Sequence, residues 1–397
     1  MYSRSLVAMS VAMIFAIPMA ASATDVQVFG FFDQGLSYVH ENLNQGMAQP
    51  VGQANPNRLD NEGYVAKQGA VSKTTLGTGN VSTWGIKGSE KLNDDVEVIF
   101  HLESGFLADD GTIYGSGNTL FERESTLGLR SKTWGEIKFG RMPAMSTGSG
   151  TTGIFNSRVN PFGAGWGNMT GGWKFAGTLA SARWNNMMNY KSPVMNGIQV
   201  HFQHSLGNKN DDTEGTADTD RWTALGLTWS GERAFLAAAV DWLAASNVAT
   251  SVKQSEKDTW KAMVGGNVKF EDFTLYGSIQ YLKNTRWIGG YSTKEFAPVT
   301  ADQKTTKGFD SWALATGVNV PAAGGTVKAS IAWGFGENNN VSTQNKFDRI
   351  NAGLGYVYPL SRRTSIYGIT GYFWQDADWQ HGSISAHEAI VGLMHRF

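Results

Sequence analysis

Hydrophobic and polar residues alternate with a period of two along most of the chain. In FTLYGSIQYL, residues 273–282, Phe273, Leu275 and Ile279 fall on one face and polar residues fall on the other. The segments TWKAMVGGNVKF, TVKASIAWGF and EVIFHLESGF follow the same pattern. A helix would place its apolar residues three and four positions apart. The alternation therefore predicts an all-β chain, with about sixteen strands between residues 26 and 397.

The connections between these strands alternate in length. Short ones such as SGER (230–233) and PLSRR (359–363) alternate with long polar ones such as residues 205–220 and 283–308. Transmembrane barrels have short turns at one rim and long loops at the other. A soluble β-sandwich, the alternative, has no reason to sort its loops in this way. The pattern predicts a 16-stranded antiparallel transmembrane β-barrel over residues 24–397.

Aromatic residues stand near many predicted strand ends. Such residues form girdles at the two membrane interfaces. The set comprises Trp222, Trp242, Trp260, Trp312, Trp333, Tyr356 and Trp374.

The first 23 residues have the features of a secretory signal peptide. Arg4 precedes the apolar run LVAMSVAMIFAIPMA, and the small residues Ala21 to Ala23 follow it. The run is too short to span a bilayer comfortably, which disfavours the alternative of a retained membrane anchor. We therefore expect cleavage after residue 23 and export to the outer membrane.

Composition argues against several classes of function. Basic and acidic residues nearly balance, with a formal net charge of -1, so no basic excess favours nucleic-acid binding. The chain has no cysteine, which removes disulfide and zinc-thiolate chemistry. His201 and His204 are three apart on a strand and point to opposite faces, so a metal pair is not expected. With no GxSxG motif either, we expect neither an enzyme nor a bound metal or cofactor.

Four segments carry a resemblance to a known family. They are DVQVFGFFDQGLSY (25–38), STWGIKGSEKLNDDVEVIFHLESGF (82–106), RESTLGLRSKTWGEIKFGRMP (123–143) and the C-terminal AIVGLMHRF. They resemble the trimeric, sixteen-stranded general porins of Gram-negative bacteria, most closely the β-proteobacterial branch. The resemblance implies a homotrimer of water-filled pores, each narrowed by an inward-folded third loop, that passes small hydrophilic solutes and ions. It also implies contact with outer-membrane lipid and lipopolysaccharide, and Phe397 as a signal for the barrel assembly machinery.

The resemblance further implies that the second loop, near residues 106–121, reaches a neighbouring subunit. Arg141 matches an arginine that meets this loop in related porins. Alternation places Arg141 on the outer face, together with Ile137 and Phe139. We therefore expect Arg141 to lie at a trimer interface, with Asp109 or Asp110 as its partner.

The third loop is predicted to occupy residues 144–182, far longer than a typical connection. Its centre, NPFGAGWGNMTGGWKF (160–175), is rich in glycine and aromatic residues. From residue 137 to residue 210 the chain has no aspartate or glutamate, although seven basic residues occur there. Because basic groups at a pore neck favour anions, this composition predicts a mild anion preference.

The predicted constriction combines wall positions and loop positions. By alternation Thr83, Lys87 and Lys138 point inward, whereas Arg123 and Arg183 match basic positions of the family. The full predicted set is Thr83, Lys87, Arg123, Lys138, Arg158, Lys174 and Arg183. Glu97, Glu103, Glu136 and Asp241 also point inward by alternation, so little preference or cation preference stays open. A second alternative is a substrate-specific porin in which Trp166 and Trp173 form a track for solutes.

Overall fold

The computed structural model describes residues 25–42, 70–77, 79–114, 119–147, 150–155, 157–163, 166, 183–207, 219–245, 257–285, 287–288, 295–296, 308–339, 343, 345–378 and 383–397. The expected signal peptide, residues 1–23, lies outside these ranges. Within them, no helix is long and apolar enough to cross a membrane.

Alternating sequence produces extended backbone over most of the described residues. The strands are β1 (Asp25–Asn42), β2 (Ala70–Gly77), β3 (Ser82–Lys91), β4 (Val96–Phe106), β5 (Glu124–Ser131), β6 (Gly135–Pro143), β7 (Arg183–Lys191), β8 (Ile198–Ser205), β9 (Arg221–Ser230), β10 (Ala234–Ala244), β11 (Thr259–Lys269), β12 (Thr274–Thr285), β13 (Trp287–Ile288), β14 (Glu295–Phe296), β15 (Phe309–Ala322), β16 (Gly325–Asn338), β17 (Lys346–Pro359), β18 (Thr364–Ala377) and β19 (Ile384–Arg396). One turn of 3-10 helix covers Met145–Thr147.

All strands except the short pair β13 and β14 belong to one antiparallel sheet that closes on itself. Strands that follow one another around the wall are paired, β12 with β15 across the short pair, and β1 also pairs with β19, from Phe31 opposite Arg396 to Asn42 opposite Ser385. The sheet has 17 strand segments, but β2 and β3 pair with successive parts of β1 and form one interrupted wall strand. The wall therefore has sixteen strands, which confirms the predicted 16-stranded barrel.

Connections at the two rims differ as the sequence predicts. At one rim the strands are joined by short segments such as 92–95, 132–134 and 231–233. At the other rim lie the long connections, including 107–123 and the segment from Pro143 to Arg183. Large apolar side chains cover the outer face, since the pleat directs every second residue outward. Leu225, for example, is 61% exposed.

The inner face carries many small and polar residues together with buried apolar ones such as Phe309 and Phe373, and Trp222 is among the latter. Its ring is fully buried and stacks on Trp184 at 6.2 Å between centroids, so its assignment to an interfacial girdle is wrong. Trp222 stands opposite Leu243 on the inward parity of β9, where the segment after β6 covers it. Trp242 and Trp260, in contrast, stack on the outer face, as expected of a girdle.

Candidate functional site

The segment that follows β6 packs inside the barrel against the inner wall. Met145, Ile154 and Phe155 are buried in one cluster with wall residues, among them Trp184 and Trp222. Burying such side chains removes apolar surface from water and so stabilises the attachment of the segment.

Polar groups fix the beginning of this segment. The Met145 N–H donates to Gln203 Oε1 at 2.7 Å, and the Ser146 hydroxyl donates to Asp241 Oδ2. Asp241 is buried on β10 and stands opposite Lys261 of β11 in the sheet. Because buried polar groups need partners, these bonds specify where the chain enters the barrel.

The middle of the segment is held by a carboxylate of β5. Glu124 accepts hydrogen bonds from the Thr151 hydroxyl at 2.5 Å and from the Thr151 N–H at 3.2 Å. Lys138 Nζ donates to the same hydroxyl at 2.9 Å. Lys138, a predicted constriction residue, therefore faces inward as expected and helps to hold the loop.

Farther along, the segment crosses to the opposite wall. Asn267 of β11 donates to the carbonyl of Arg158 at 2.6 Å, and Lys328 of β16 donates to the carbonyl of Pro161 at 2.8 Å. Phe162 and Trp166 then pack on Tyr367 of β18. The described residues of this segment thus contact strands around much of the barrel circumference.

The wall beneath the segment has glycine at four contact points. A Cβ at Gly317 would lie 2.6 Å from Pro161 Cγ, and one at Gly226 would lie 2.7 Å from Met145 Sδ. Similar contacts occur at Gly265 with Val159 and at Gly355 with Phe162. The missing side chains leave room for the segment to lie close to the strands.

Basic and acidic side chains share the inner wall between β3 and β7. Glu136 lies 3.3 Å from Lys138, 2.9 Å from Arg130 and 3.9 Å from Lys191. Arg130 also binds Glu97 at 3.0 Å. The inward placement of Glu97 and Glu136 is as alternation predicts, and both carboxylates have basic partners.

Toward the long-loop rim, Arg123 Nε binds Glu103 Oε1 at 2.6 Å, and Arg183 Nε donates to the Arg123 carbonyl at 3.1 Å. The structure thus brings these two predicted constriction residues together. His101, Glu103 and Glu124 have ligand-type atoms within 4.8 Å of one another. Arg123 and Thr151 already bind these two carboxylates, so the cluster works as part of the charged wall.

Lys87, Thr83 and Arg158 are the other predicted constriction residues that the structure describes. Lys87 is exposed to the lumen, 5.3 Å from the centre of the Phe29 ring, and among the described residues no carboxylate lies within 4.0 Å of its ammonium. Thr83 points inward and is buried. A cavity of about 330 Å³ is lined by Lys87, Lys138, Thr151 and Lys191. Arg158 lines a neighbouring cavity of about 220 Å³ and stacks on Phe235 at 4.6 Å.

Of the predicted trimer residues, Arg141 lies on a strand and the two aspartates lie in the second loop. Arg141 pairs with Ser125 on the outer parity and donates to the Glu122 carbonyl at 2.7 Å and to Asn185 Oδ1 at 2.6 Å. Asp109 and Asp110 are exposed in the second loop, where the N–H and hydroxyl of Thr112 lower the pKa of Asp110. Within this chain Arg141 contacts neither aspartate among the described hydrogen bonds.

Trp166 and Phe397 are the other predicted residues that the structure describes. Trp166 meets Tyr367 edge-on at 5.3 Å, which favours packing over a solute track. Phe397 exchanges two backbone hydrogen bonds with Gly30, both at 3.1 Å. Lys174 and Trp173 lie outside the described residues.

Sequence reasoning missed three residues that attach the loop. They are Glu124, Gln203 and Tyr367. Alternation gives the inward direction of each, but their partners are far away in the sequence. For Glu124 and Gln203, inward parity close to the long-loop end of the strand was the available signal.

Comparisons with known proteins agree with this geometry. A family model described as Gram-negative porin matches residues 8–378. An outer membrane porin protein of Bordetella pertussis is 28% identical over 95% of this chain and 96% of its own length. Outer membrane porin protein 32 of Delftia acidovorans is 30% identical over 78% of this chain and 79% of its own length.

Among solved structures, an anion-selective porin from Comamonas acidovorans matches with a TM-score of 0.60 and 20% identity, over 94% of this chain and all of that one. The fold, the inward loop contacts and the curated relatives all indicate a porin. The chain therefore belongs to the Gram-negative porin family and forms a channel in the outer membrane.

Proposed function

We propose that this porin passes small hydrophilic solutes and ions by passive diffusion, with a mild preference for anions. The observation that carries the preference is the charge of the loop. Among its described residues the only charged side chain is that of Arg158, and the sequence has no carboxylate from residue 137 to residue 210. Basic residues at a narrowing attract anions and repel cations.

The charges of the wall support the same direction. Glu97, Glu103, Glu124 and Glu136 all face inward, yet each has a basic group within 4.0 Å. Pairing reduces the field that a carboxylate exerts on a passing ion, since the opposite charge lies close by. Lys87, by contrast, faces the lumen without a carboxylate at that distance among the described residues.

We infer that residues 144–182 form the narrowing of the pore. The segment is attached to well-separated strands, at Met145 to β8, at Thr151 to β5, at Pro161 to β16 and at Phe162 to β18, as expected of a segment that crosses a lumen. The mature chain is proposed to begin near residue 24, after removal of the signal peptide.

We further propose that the barrel assembles as a homotrimer through the sector around β19 and β1 to β6. Outward aromatic side chains line the long-loop end of β10, β11, β15 and β16, at Trp242, Trp260, Trp312 and Trp333. At this end β1 in the proposed sector carries one outward aromatic residue, Tyr38, together with polar groups such as His40, bound to Ser72 at 2.8 Å. Polar side chains are costly against lipid and are accommodated by contact with another subunit. Asp109, Asp110 and Arg141 would lie at its edge.

Reversal potential across a planar bilayer in a salt gradient tests the anion preference. We expect an anion-selective sign that moves toward cation selectivity in Lys87→Gln and in Arg158→Gln. Arg362→Gln is the control, because Arg362 is exposed in the turn before β18 and lies five residues, about 16 Å along the chain, before Tyr367, on which the loop packs. That exceeds the screening length of about 8 Å at physiological salt. A cation-selective wild type would refute the proposal.

A further inference from the structure

The second wall strand is interrupted between β2 and β3, and side chains of β1, β3 and β18 form hydrogen bonds at the gap. β1 pairs with β3 up to Phe31 and with β2 from Gly35 onward, so the three residues between them have no ladder partner on this side. The Asp33 N–H donates to Ser82 Oγ at 3.0 Å, and the Ser82 hydroxyl donates to the Asp33 carbonyl at 3.1 Å. One hydroxyl can accept and donate at once, so it satisfies both backbone groups of Asp33, for which the ladder offers no partner on this side.

The Asp33 side chain closes the rest of the gap. Its Oδ2 accepts the N–H of Asn80 at 2.8 Å, and its Oδ1 accepts the hydroxyl of Tyr367 at 2.6 Å. The same Tyr367 oxygen accepts the N–H of Gly79 at 2.8 Å. Asp33 and Tyr367 are both buried, so each of these groups depends on the other for its hydrogen bonds.

Tyr367 reaches the gap from β18, two strands away. It crosses β19 at Gly392, where a Cβ would come within 2.5 Å of the tyrosine ring. A side chain at that position would block the path of the ring. The arrangement thus needs a tyrosine on β18, a glycine on β19 and an aspartate on β1.

The same ring supports the far end of the described part of the loop, which comprises Phe162 and Trp166. Trp166 meets it edge-on at 5.3 Å, and Phe162 belongs to the same buried cluster. The carbonyl of Pro161, next in the chain, is held by Lys328. One aromatic ring is therefore in contact with the strand gap on one side and with the loop on the other.

From these contacts we infer that Asp33 and Tyr367 are positioning residues that fix the far end of the loop against the interrupted strand and so set the width of the neck. The inference rests on the proposed role of the loop as the narrowing of the pore. Loss of the tyrosine hydroxyl leaves the Gly79 N–H without its acceptor and the Asp33 carboxylate with one donor fewer. Unsatisfied buried groups are costly, so the gap and the ring rearrange together.

Single-channel recording of the full-length porin tests this coupling. Tyr367→Phe removes only the hydroxyl, and we expect open-channel current noise to rise severalfold as the loop end samples more positions. Asp33→Asn should have a similar effect, and the double variant should be no noisier than either single one. Tyr372→Phe is the matched control, because Tyr372 lies on the same strand with an exposed ring on the outer face.

Trp166→Leu provides a second route if Tyr367→Phe does not fold. It leaves the bonds at the gap in place and should raise the noise while the heat stability of the barrel stays near wild type. Wild-type noise in the folded Tyr367 and Asp33 variants, or in Trp166→Leu, would overturn the inference. An additive double variant, or an equal effect of Tyr372→Phe, would overturn it too.

A separate measurement, the reversal potential of Arg158→Gln, tests whether the loop forms the narrowing. If Arg158→Gln shifts the reversal potential while these variants stay quiet, the loop narrows the pore but Tyr367 does not position it. If Arg158→Gln has no effect on the reversal potential, the proposed role of the loop as the narrowing is itself refuted.

Discussion

Replacing Gly317 by alanine would push the loop into the lumen from the wall side. The new Cβ would lie 2.6 Å from Pro161 Cγ and 2.7 Å from the Ala329 carbonyl oxygen. Non-bonded carbon atoms settle at about 3.5–4.0 Å, so the separation must grow by about 1 Å. β15 is bonded to strands on both sides, so the loop yields more readily than the wall.

The magnitude follows from overpacking. An extra methyl group in a well-packed site costs about 1–3 kcal/mol. Pro161 and the adjacent Phe162 should advance toward the pore axis, so single-channel conductance in a planar bilayer should fall. The midpoint of thermal unfolding in detergent should also decrease.

Gly368→Ala is the control, since a Cβ at Gly368 meets nothing within 4 Å. It should leave conductance and the unfolding midpoint unchanged. If Gly317→Ala behaved like Gly368→Ala, Pro161 would not rest on β15 in the working channel. A rise in conductance would also contradict the reasoning, because it would mean that the loop had left the wall.

Two further predictions concern the barrel exterior and its turns. Arg141→Ala should lower the heat stability of the trimer in detergent, as should Asp110→Asn if that aspartate is its partner; an unchanged Arg141→Ala trimer would refute the interface role. Hydrogen bonds from Ser131 and Thr133 lower the pKa of Asp95, in the turn before β4, below its ordinary value of 3.8. The ionised Asp95 side chain therefore stabilises the fold above pH 3.8, and this stabilisation is lost as the pH falls through the lowered pKa. Asp95→Asn should therefore lower the unfolding midpoint at pH 7 but progressively less below pH 3.8, whereas an equal difference at every pH would contradict this.

Alternation carried most of the information about the fold. A two-residue period with one lipid face fixes which side chains point inward, so the directions of Lys87, Lys138 and Glu103 followed from counting. Trp222 shows the limit of that reasoning. Its position near a strand end suggested a girdle, but its inward parity and the covering loop decided its place.

The attachment of the loop could not be predicted in the same way. Glu124 and Thr151 lie 27 residues apart, and Asp33 and Tyr367 lie 334 apart. Such pairs depend on the curvature of the barrel and on the course of the loop, which no local pattern encodes. The interruption between β2 and β3 was hidden for the same reason, because its repair uses a hydroxyl, a carboxylate and a distant phenol.

The pairing of β1 with β19 has a consequence for biogenesis. The first strand finds one of its two neighbours only in the last strand of the chain, where Phe397 and Gly30 exchange their backbone bonds. Until that strand arrives, the sheet has two open edges, which lipid cannot satisfy and which other chains could join. Closure of the sheet in the membrane thus requires β19, and a chain truncated before it would leave the edge of β1 without a hydrogen-bonding partner.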